Sequence, residues 1–539
     1  MTSMSSTTSS PRPSEKASSK PAARAAGKKG AKLLDRFELD ELFSRDPIDY
    51  DLLTQLTHMA GVATSGMSRD QLFEGTAGLS YSTSKFFRQV HLVARRLNYD
   101  YSRACERVAD VIKEDGVRNL LLHFATSLSS GETEESFLLR ESALQREMYG
   151  KEYERKVESL QKWSDAYVAL MVSATLVVVI SLVSMMIYPF SPITIVALAA
   201  LMVCVTFVGG WLIFTVAPIE VKTHSLKHKS PEQGRVGQIA KFLIPAAIIG
   251  GLGVGWLFGM GFGLLLAAVL VAPVGYLAMK DDWNIDAHDR DISTFIRAIG
   301  GVMGSAGITA TDALSRLNRR SLGSLEPSVR RLYIRLKNGI SPDLCWVRLA
   351  AESGSDLVVR CVRIFWDGVR VGGDTERVAT LSSEFALKIW LLRADRKLVS
   401  TTFSWVAIPL HAVLMAILLF ITEVVQVFGA ELGRVQQQSL EGGVASEAGV
   451  SDIMLLQFAS LDFVPMFVGV VAIMLTAANS FAPYAATGGN RLKLCLYAAI
   501  MMGISGIALL TVPHLVQAVF QNIATTPGSP TAVPTPIGG

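Results

Sequence analysis

Between Ala166 and Ile219, and again between Phe242 and Met279, the chain carries no Asp, Glu, Lys or Arg. Polar segments flank both stretches, and a third hydrophobic block begins at Phe403. Since roughly 20 apolar residues cross the hydrocarbon core as a helix, these runs divide by length into seven spans. Ala166–Tyr188 and Ile193–Val216 pair as a hairpin turned at Pro189 and Pro192. Phe242–Phe258 and Gly261–Met279 form a second, glycine-rich hairpin, and Phe403–Val427, Phe463–Ala482 and Leu494–Val519 complete the set. In the polar segments, Phe86, Val90, Val93 and Leu97 share one helix face, as do Val117, Leu121, Phe124 and Leu128. Gly131 is expected to stop the second of these helices. From Thr133 no proline intervenes before Pro189, and Glu152–Lys156 and Glu158–Lys162 are i,i+4 pairs with the acid on the favoured N-terminal side. A rigid rod therefore joins a soluble bundle to the first span.

The predicted fold class is all-α: a polytopic membrane protein with about seven transmembrane helices and two repeated cytosolic helical-bundle modules. The expected divisions are a disordered basic tail (1–32), module 1 (33–165), a transmembrane hairpin (166–216) and a basic cytosolic loop (217–241). A second hairpin (242–279), module 2 (280–402), three further spans (403–519) with an acidic external loop (428–460), and an external tail (520–539) follow. Low apolar content with seven basic residues against Glu15 keeps the tail unfolded. Its excess charge is also suited to loose attraction by anionic lipid. Lys222, Lys227, Lys229, Arg235 and Lys241 in one loop, and Arg491 and Lys493 in another, place those loops, the N-terminus and both modules inside. The 428–460 segment holds four acids and one arginine, which suits the opposite side.

A repeat runs through the polar halves. Gly61-Val62 leads to Gly66, Ser68 and Gln71, and Gly301-Val302 leads to Gly307, Thr309 and Asp312. Ser68 with Gln71 and Thr309 with Asp312 have capping-box spacing. Gly131-Glu132-Thr133-Glu134 answers Gly373-Asp374-Thr375-Glu376. The separations from Gly66 to Gly131 and from Gly307 to Gly373 differ by one residue, which is why duplication explains them better than ordinary helix punctuation.

Composition sharpens this picture. Half of the residues are hydrophobic and only 18% charged, as in a membrane protein with sizeable soluble parts. A net charge of +4 gives no field that argues for nucleic acid. Five scattered cysteines without a C-x-x-C pair make disulfides and thiolate zinc sites poor expectations. No apolar h-region follows the N-terminus, so the run from Ala166 is expected to target the membrane.

Several strings, in order, carry a family resemblance. They are Met59-Ala60 with Ala63-Thr64-Ser65-Gly66-Met67-Ser68-Arg69, Leu128-Ser129-Ser130-Gly131-Glu132, and Trp163-Ser164-Asp165-Ala166-Tyr167-Val168-Ala169-Leu170. Glu352-Ser353-Gly354-Ser355, Arg370-Val371-Gly372-Gly373-Asp374 and Pro409-Leu410-His411 continue them. Through these the chain from about residue 33 resembles the type II secretion F-protein and type IV pilus platform family, most closely its archaellum (archaeal flagellum) branch. The resemblance implies a non-enzymatic membrane platform, forming a homodimer. It also implies coupling of a cytosolic hexameric ATPase to insertion of archaellins or pilins into a filament, with rotation as a further output.

The residues agree with a platform that borrows its energy. No G-x-x-x-x-G-K-[ST] loop occurs, and no cofactor is expected. His224 and His228 lie at i,i+4 but lack a third ligand nearby, so no metal site is expected. Two intramembrane polar residues are candidates for proton handling. Glu423 falls near the far end of its span and reads as a solvated helix end, while His411 beside Pro409 reads as a packing or kink residue. Segment 281–400 clusters its cations as Arg316, Arg319 and Arg320, then Arg330, Arg331, Arg335 and Lys337, then Arg393, Arg396 and Lys397. These are the candidates for docking an acidic face of the ATPase, the last group doubling as a membrane anchor. A secondary transporter is the rival reading, for which the glycine-rich hairpin is the one supporting feature. A signalling receptor would need a sensor or effector domain that the sequence does not display.

Overall fold

The computed structural model describes residues 48–184, 192–224, 226, 230–441 and 464–525. The basic tail, the Pro189 turn, Lys227, His228, Lys229, most of the acidic 428–460 segment and the end of the C-terminal tail lie outside them. Helices account for the described elements, with no strand among them; the one β-bridge, Thr223 to Ser355, is isolated.

Module 1 comprises α1 (Ile48–Ala63), α2 (Arg69–Ala77), α3 (Ser84–Leu97), α4 (Tyr101–Ala109) and α5 (Asp115–Ser130). It feeds α6 (Glu134–Ser184), and α7 (Pro192–Val216) returns through the membrane. Next come α8 (Pro231–Phe258) and α9 (Met260–Ala306). Module 2 adds α10 (Ala310–Arg316), a 3-10 turn (Arg319–Leu325), α11 (Glu326–Lys337), α12 (Pro342–Ser353) and α13 (Asp356–Arg370). The chain ends with α14 (Thr375–Glu441), α15 (Val464–Thr487), a 3-10 turn (Arg491–Lys493) and α16 (Leu494–Thr525). Among the described residues seven helices are long and apolar enough to cross a membrane, as the hydrophobic runs predict.

Three helices cross the expected divisions without a break. They are α6, α9 and α14, with 51, 47 and 67 residues, or roughly 75, 70 and 100 Å at ~1.5 Å per residue. Thus position 280 is no boundary in the backbone, and α14 continues through 428–441, where the sequence suggests a loop. The basic loop also shortens at its C-terminal side, because the Ser230 hydroxyl accepts from the Gln233 N–H and starts α8 at Pro231.

Local signals behave as expected where they govern a helix end. Ser68 and Gln71 close a reciprocal capping box, and Thr309 accepts from the Asp312 N–H at 3.3 Å. Gly66, Gly131 and Gly307 are left-handed, with φ of 68°, 78° and 60°. Ahead of α14 the left-handed glycine is Gly372 (φ 86°), rather than the Gly373 that the sequence aligns with Gly131. Gly373 donates its N–H to the Gly368 carbonyl just as Glu132 donates to Ser127. The one-residue discrepancy in spacing disappears with that correction. A further parallel was not visible in the sequence: Asp51 accepts from both the N–H and the hydroxyl of Ser82, and Asp291 does the same for Ser324. Leu97 departs from its predicted face. It is 60% exposed because α3 ends there, at a left-handed Asn98.

Each module has its own apolar centre. Phe73 stacks on Tyr101 and Phe124, and Phe124 on Phe137, in the first; Trp346 packs on Phe365 and Trp366 in the second. Ring pairs of this kind add about 0.5–1.5 kcal/mol each beyond their burial. The modules also share a core, in which Tyr50 and Leu53 of α1 meet Leu357, Ile364, Phe385 and Ile389 of α13 and α14. Ion pairs Arg377–Glu135, Lys388–Glu154 and Arg146–Glu384 hold α6 alongside α14.

Inside the membrane portion, four helices are joined by one hydrogen-bonded series. The Tyr167 hydroxyl donates to Asn479 Oδ1 at 2.8 Å, and Asn479 Nδ2 donates to His411 Nδ1 at 2.9 Å. That leaves the proton on His411 Nε2, facing Ser505 Oγ at 2.9 Å. Ser505 meets Thr476 at 2.6 Å, and Thr476 donates to the Ala472 carbonyl. His411 is fully buried, as a packing residue should be, and ties α14 to α15 and α16. Glu423 is half-buried near the end of its span remote from the modules.

Candidate functional site

The modules meet the membrane bundle at a buried network of charges. Helix α9 leaves its apolar run at Met279 and presents Asp282, Asp286 and Asp289 at i, i+4 and i+7, hence on one face. Opposite, α14 presents Arg393, Arg396 and Lys397 just before its own apolar run. The 217–224 connection supplies Glu220 and Lys222, and the turn before α16 supplies Lys493.

Arg393 lies 2.6 Å from Asp289 and 2.8 Å from Glu220, and it donates to the Val221 carbonyl. Glu220 also takes Arg396 at 2.9 Å, and Arg396 caps the Pro218 and Ala486 carbonyls. Asp289 accepts in addition from Ser355, so module 2 is tied to the same group. A second series alternates lysines with aspartates. Lys397 reaches Asp286 at 2.7 Å, Lys222 bridges Asp286 and Asp282, and Lys493 reaches Asp282 at 2.9 Å. Burial alone would depress the Lys222 ammonium pKa, but Asp282, Asp286 and Glu220 outweigh it and hold the group above its usual range. Gly488 and Gly489, both left-handed, let the turn backbone lie directly against Arg396 and Asp282, where a Cβ would intrude.

Asp281 is buried beside this network without an ion pair of its own, and its Oδ2 has no hydrogen-bond partner. Burial, with Glu232 and Asp282 adding to it, pushes its carboxyl up to about 6. The folded state therefore holds a proton that the unfolded chain has released between about pH 4 and 6, and stability falls as pH rises through that window. Asp281→Asn should stabilise the protein near pH 7, on the order of 1 kcal/mol given the solvent that still reaches the group. The gain should vanish near pH 4. Thermal unfolding of the detergent-solubilised chain at the two pH values checks this.

The structure separates the predicted docking residues by availability. Arg393 and Arg396 are 8% and 3% exposed and consumed by Glu220 and Asp289, so they hold the junction together and are withdrawn as docking residues. Lys397 is exposed but tied to Asp286, whereas Arg331 and Arg335 share Glu352. Arg316, Arg330 and Lys337 are exposed and have no hydrogen bond or ion pair among the described residues, and Arg319 and Arg320 sit on the 3-10 turn. His224 is buried, facing the Ala351 carbonyl at 3.0 Å and accepting from the Leu226 N–H, which gives it a structural role. Among the described residues no group of three metal-ligating side chains converges.

The sequence reading missed Glu220, Asp282, Asp286 and Asp289, and took Lys222 and Lys493 only as basic loop residues. The signal was present as the i, i+4, i+7 carboxylates directly after one apolar run, facing cations directly before another.

Comparison with known proteins agrees with the architecture. The chain is 23% identical over 329 residues to Flagella accessory protein J of Methanocaldococcus jannaschii, covering 58% of each chain. It is 20% identical over 334 residues to Flagella accessory protein J of Methanococcus voltae, covering 57% of this chain and 58% of that one. The match thus spans a little over half the length of these relatives. No protein-family model and no solved structure matches the chain. With seven apolar helices among the described residues of an all-helical framework, the chain is a multi-pass membrane protein that is similar, over a little more than half its length, to Flagella accessory protein J.

Proposed function

We propose that this chain is the membrane platform of an archaellum, coupling a cytosolic hexameric ATPase to the insertion of membrane-held filament subunits. The observation that carries the reading is the continuity of α6, α9 and α14 from the modules into the bundle. Helices α9 and α14 are ion-paired to each other at the junction and α6 to α14 alongside the modules, which supports delivery of a displacement from module to span along unbroken helices. The two similar modules are read as a duplicated unit, supported by the Asp51–Ser82 and Asp291–Ser324 contacts at matching places. The basic loops put both modules on the cytoplasmic side and the C-terminus outside. The chain itself supplies no phosphate-cradling loop, so the energy comes from the partner.

Arg316, Arg330 and Lys337 form the cationic face offered to that ATPase. Reversing Arg331 would also break its 2.7 Å pair with Glu352, so the informative variant is Arg330→Glu with Lys337→Glu. Co-purification of the full-length protein with the filament ATPase should weaken about tenfold at low salt, with unchanged thermal stability of the variant. ATPase retention equal to the parent's at every salt concentration would overturn the assignment.

A further inference from the structure

Helices α9, α14 and α16 enclose an open cleft of about 690 Å³ where the junction meets the apolar spans. Its upper wall is the lysine–aspartate series, and its lower wall is apolar, formed by Ile408, Leu496 and Ile500. Trp283 and Trp405 also line it, 53% and 74% exposed, and amphipathic rings of this kind favour a bilayer interface.

The charges in the upper wall do not cancel locally. Lys222, Lys397 and Lys493 share only two carboxylates, Asp282 and Asp286. The neighbouring Arg393 and Arg396 are matched by Asp289 and Glu220, and Arg290 by Asp291. Asp281 forms no ion pair with any of the three lysines. The cleft lining as a whole carries six cations against four carboxylates, and its accessible cation is Lys397, whose side chain is 54% exposed. A net cationic lining with an accessible ammonium at the mouth of the cleft suits an anion. The cleft continues downward as apolar wall, which suits a ligand with a charged head and a hydrocarbon tail.

We propose that this cleft is a binding site for the phosphate headgroup of an anionic membrane lipid, with Lys397 as its principal contact and the acyl chain lying along α14 and α16. The inference rests on the membrane reading alone and stands whether or not the platform function does. A lipid seated there would bridge α9, α14 and α16 at the point where the modules join the bundle.

The test uses the full-length protein in detergent, with dioctanoyl phosphatidylglycerol, dioctanoyl phosphatidylcholine and inorganic phosphate as probes. Binding is read by native mass spectrometry and by the shift in unfolding temperature. Phosphatidylglycerol should be retained in preference to phosphatidylcholine, and Lys397→Gln should reduce that preference roughly fivefold. Lys397→Gln leaves Lys222 on Asp286, so the fold should persist, and Trp405→Ala provides a second variant that should weaken retention of both lipids. Equal retention of the two lipids, or a preference untouched by Lys397→Gln, would overturn the proposal. Stabilisation by inorganic phosphate without phosphatidylglycerol retention would overturn the lipid as source. A disulfide between Trp405→Cys residues of two copies in native membranes would overturn it in favour of self-association.

Discussion

Replacing Arg360 with alanine is expected to destabilise the paired modules by about 3–5 kcal/mol. Arg360 sits on α13 of module 2, yet its guanidinium lies 2.6 Å from Asp51 of module 1 and 2.6 Å from Asp356. It donates to Thr54, and the rings of Tyr50 and Tyr81 lie against its faces at 4.2 and 4.8 Å. Removing it strands two carboxylates in a space from which water is largely excluded, and the cost is their desolvation more than the loss of attraction. Amide exchange in α1 should accelerate, since α1 depends on α13 for much of its cover. Combining Arg360→Met with Asp51→Asn and Asp356→Asn should recover much of the stability, because a neutral cluster leaves no charge unpaired. If Arg360→Ala unfolds at the parent's temperature with unchanged α1 exchange, the modules are not clasped here.

The second large effect is expected from Gly275→Ala. An added Cβ would fall 2.3 Å from the Leu496 nitrogen and 2.4 Å from its Cα, so it would meet backbone that has no rotamer to yield. Helices α9 and α16 would have to part, at about 1–3 kcal/mol or more, and the cleft above Leu496 would change shape with them. Gly301→Ala on the same helix meets nothing within 4 Å. It should be neutral or gain up to about 1 kcal/mol from helix propensity. Thermal unfolding of the two variants side by side isolates the clash from the general effect of alanine.

How far the sequence could be read depended on how local each cause was. Spans follow from a run of apolar residues, and helix ends from a cap three residues away, so the seven helices and the Ser68 and Thr309 caps were legible. Arg393 and Arg396 were misjudged because a cation next to a span resembles an anchor or a docking point equally well. What decides their role is Glu220, more than 170 residues earlier, brought in by the return of α7. The pairing of Gly131 with Gly373 failed for a smaller reason: two successive glycines offer the same letter, and only the dihedral angle identifies Gly372 as the left-handed one. Leu97 obeyed the helical period but fell at the last residue of its helix, where period no longer implies cover. Only half of the clasp at Arg360 had a local sign, the i,i+4 pair with Asp356; Asp51 lies in the other module, about 300 residues away in sequence.

A proton entering the buried series from Tyr167 to Ala472 would stop at its second member. Relay by hopping requires each link to give up one proton and accept another, and the amide nitrogen of Asn479 does neither at ordinary pH. The imidazole of His411 is thereby isolated from any conducting path on that side, although it lies at the heart of the bundle. The series instead fixes the azimuth of four helices about one another.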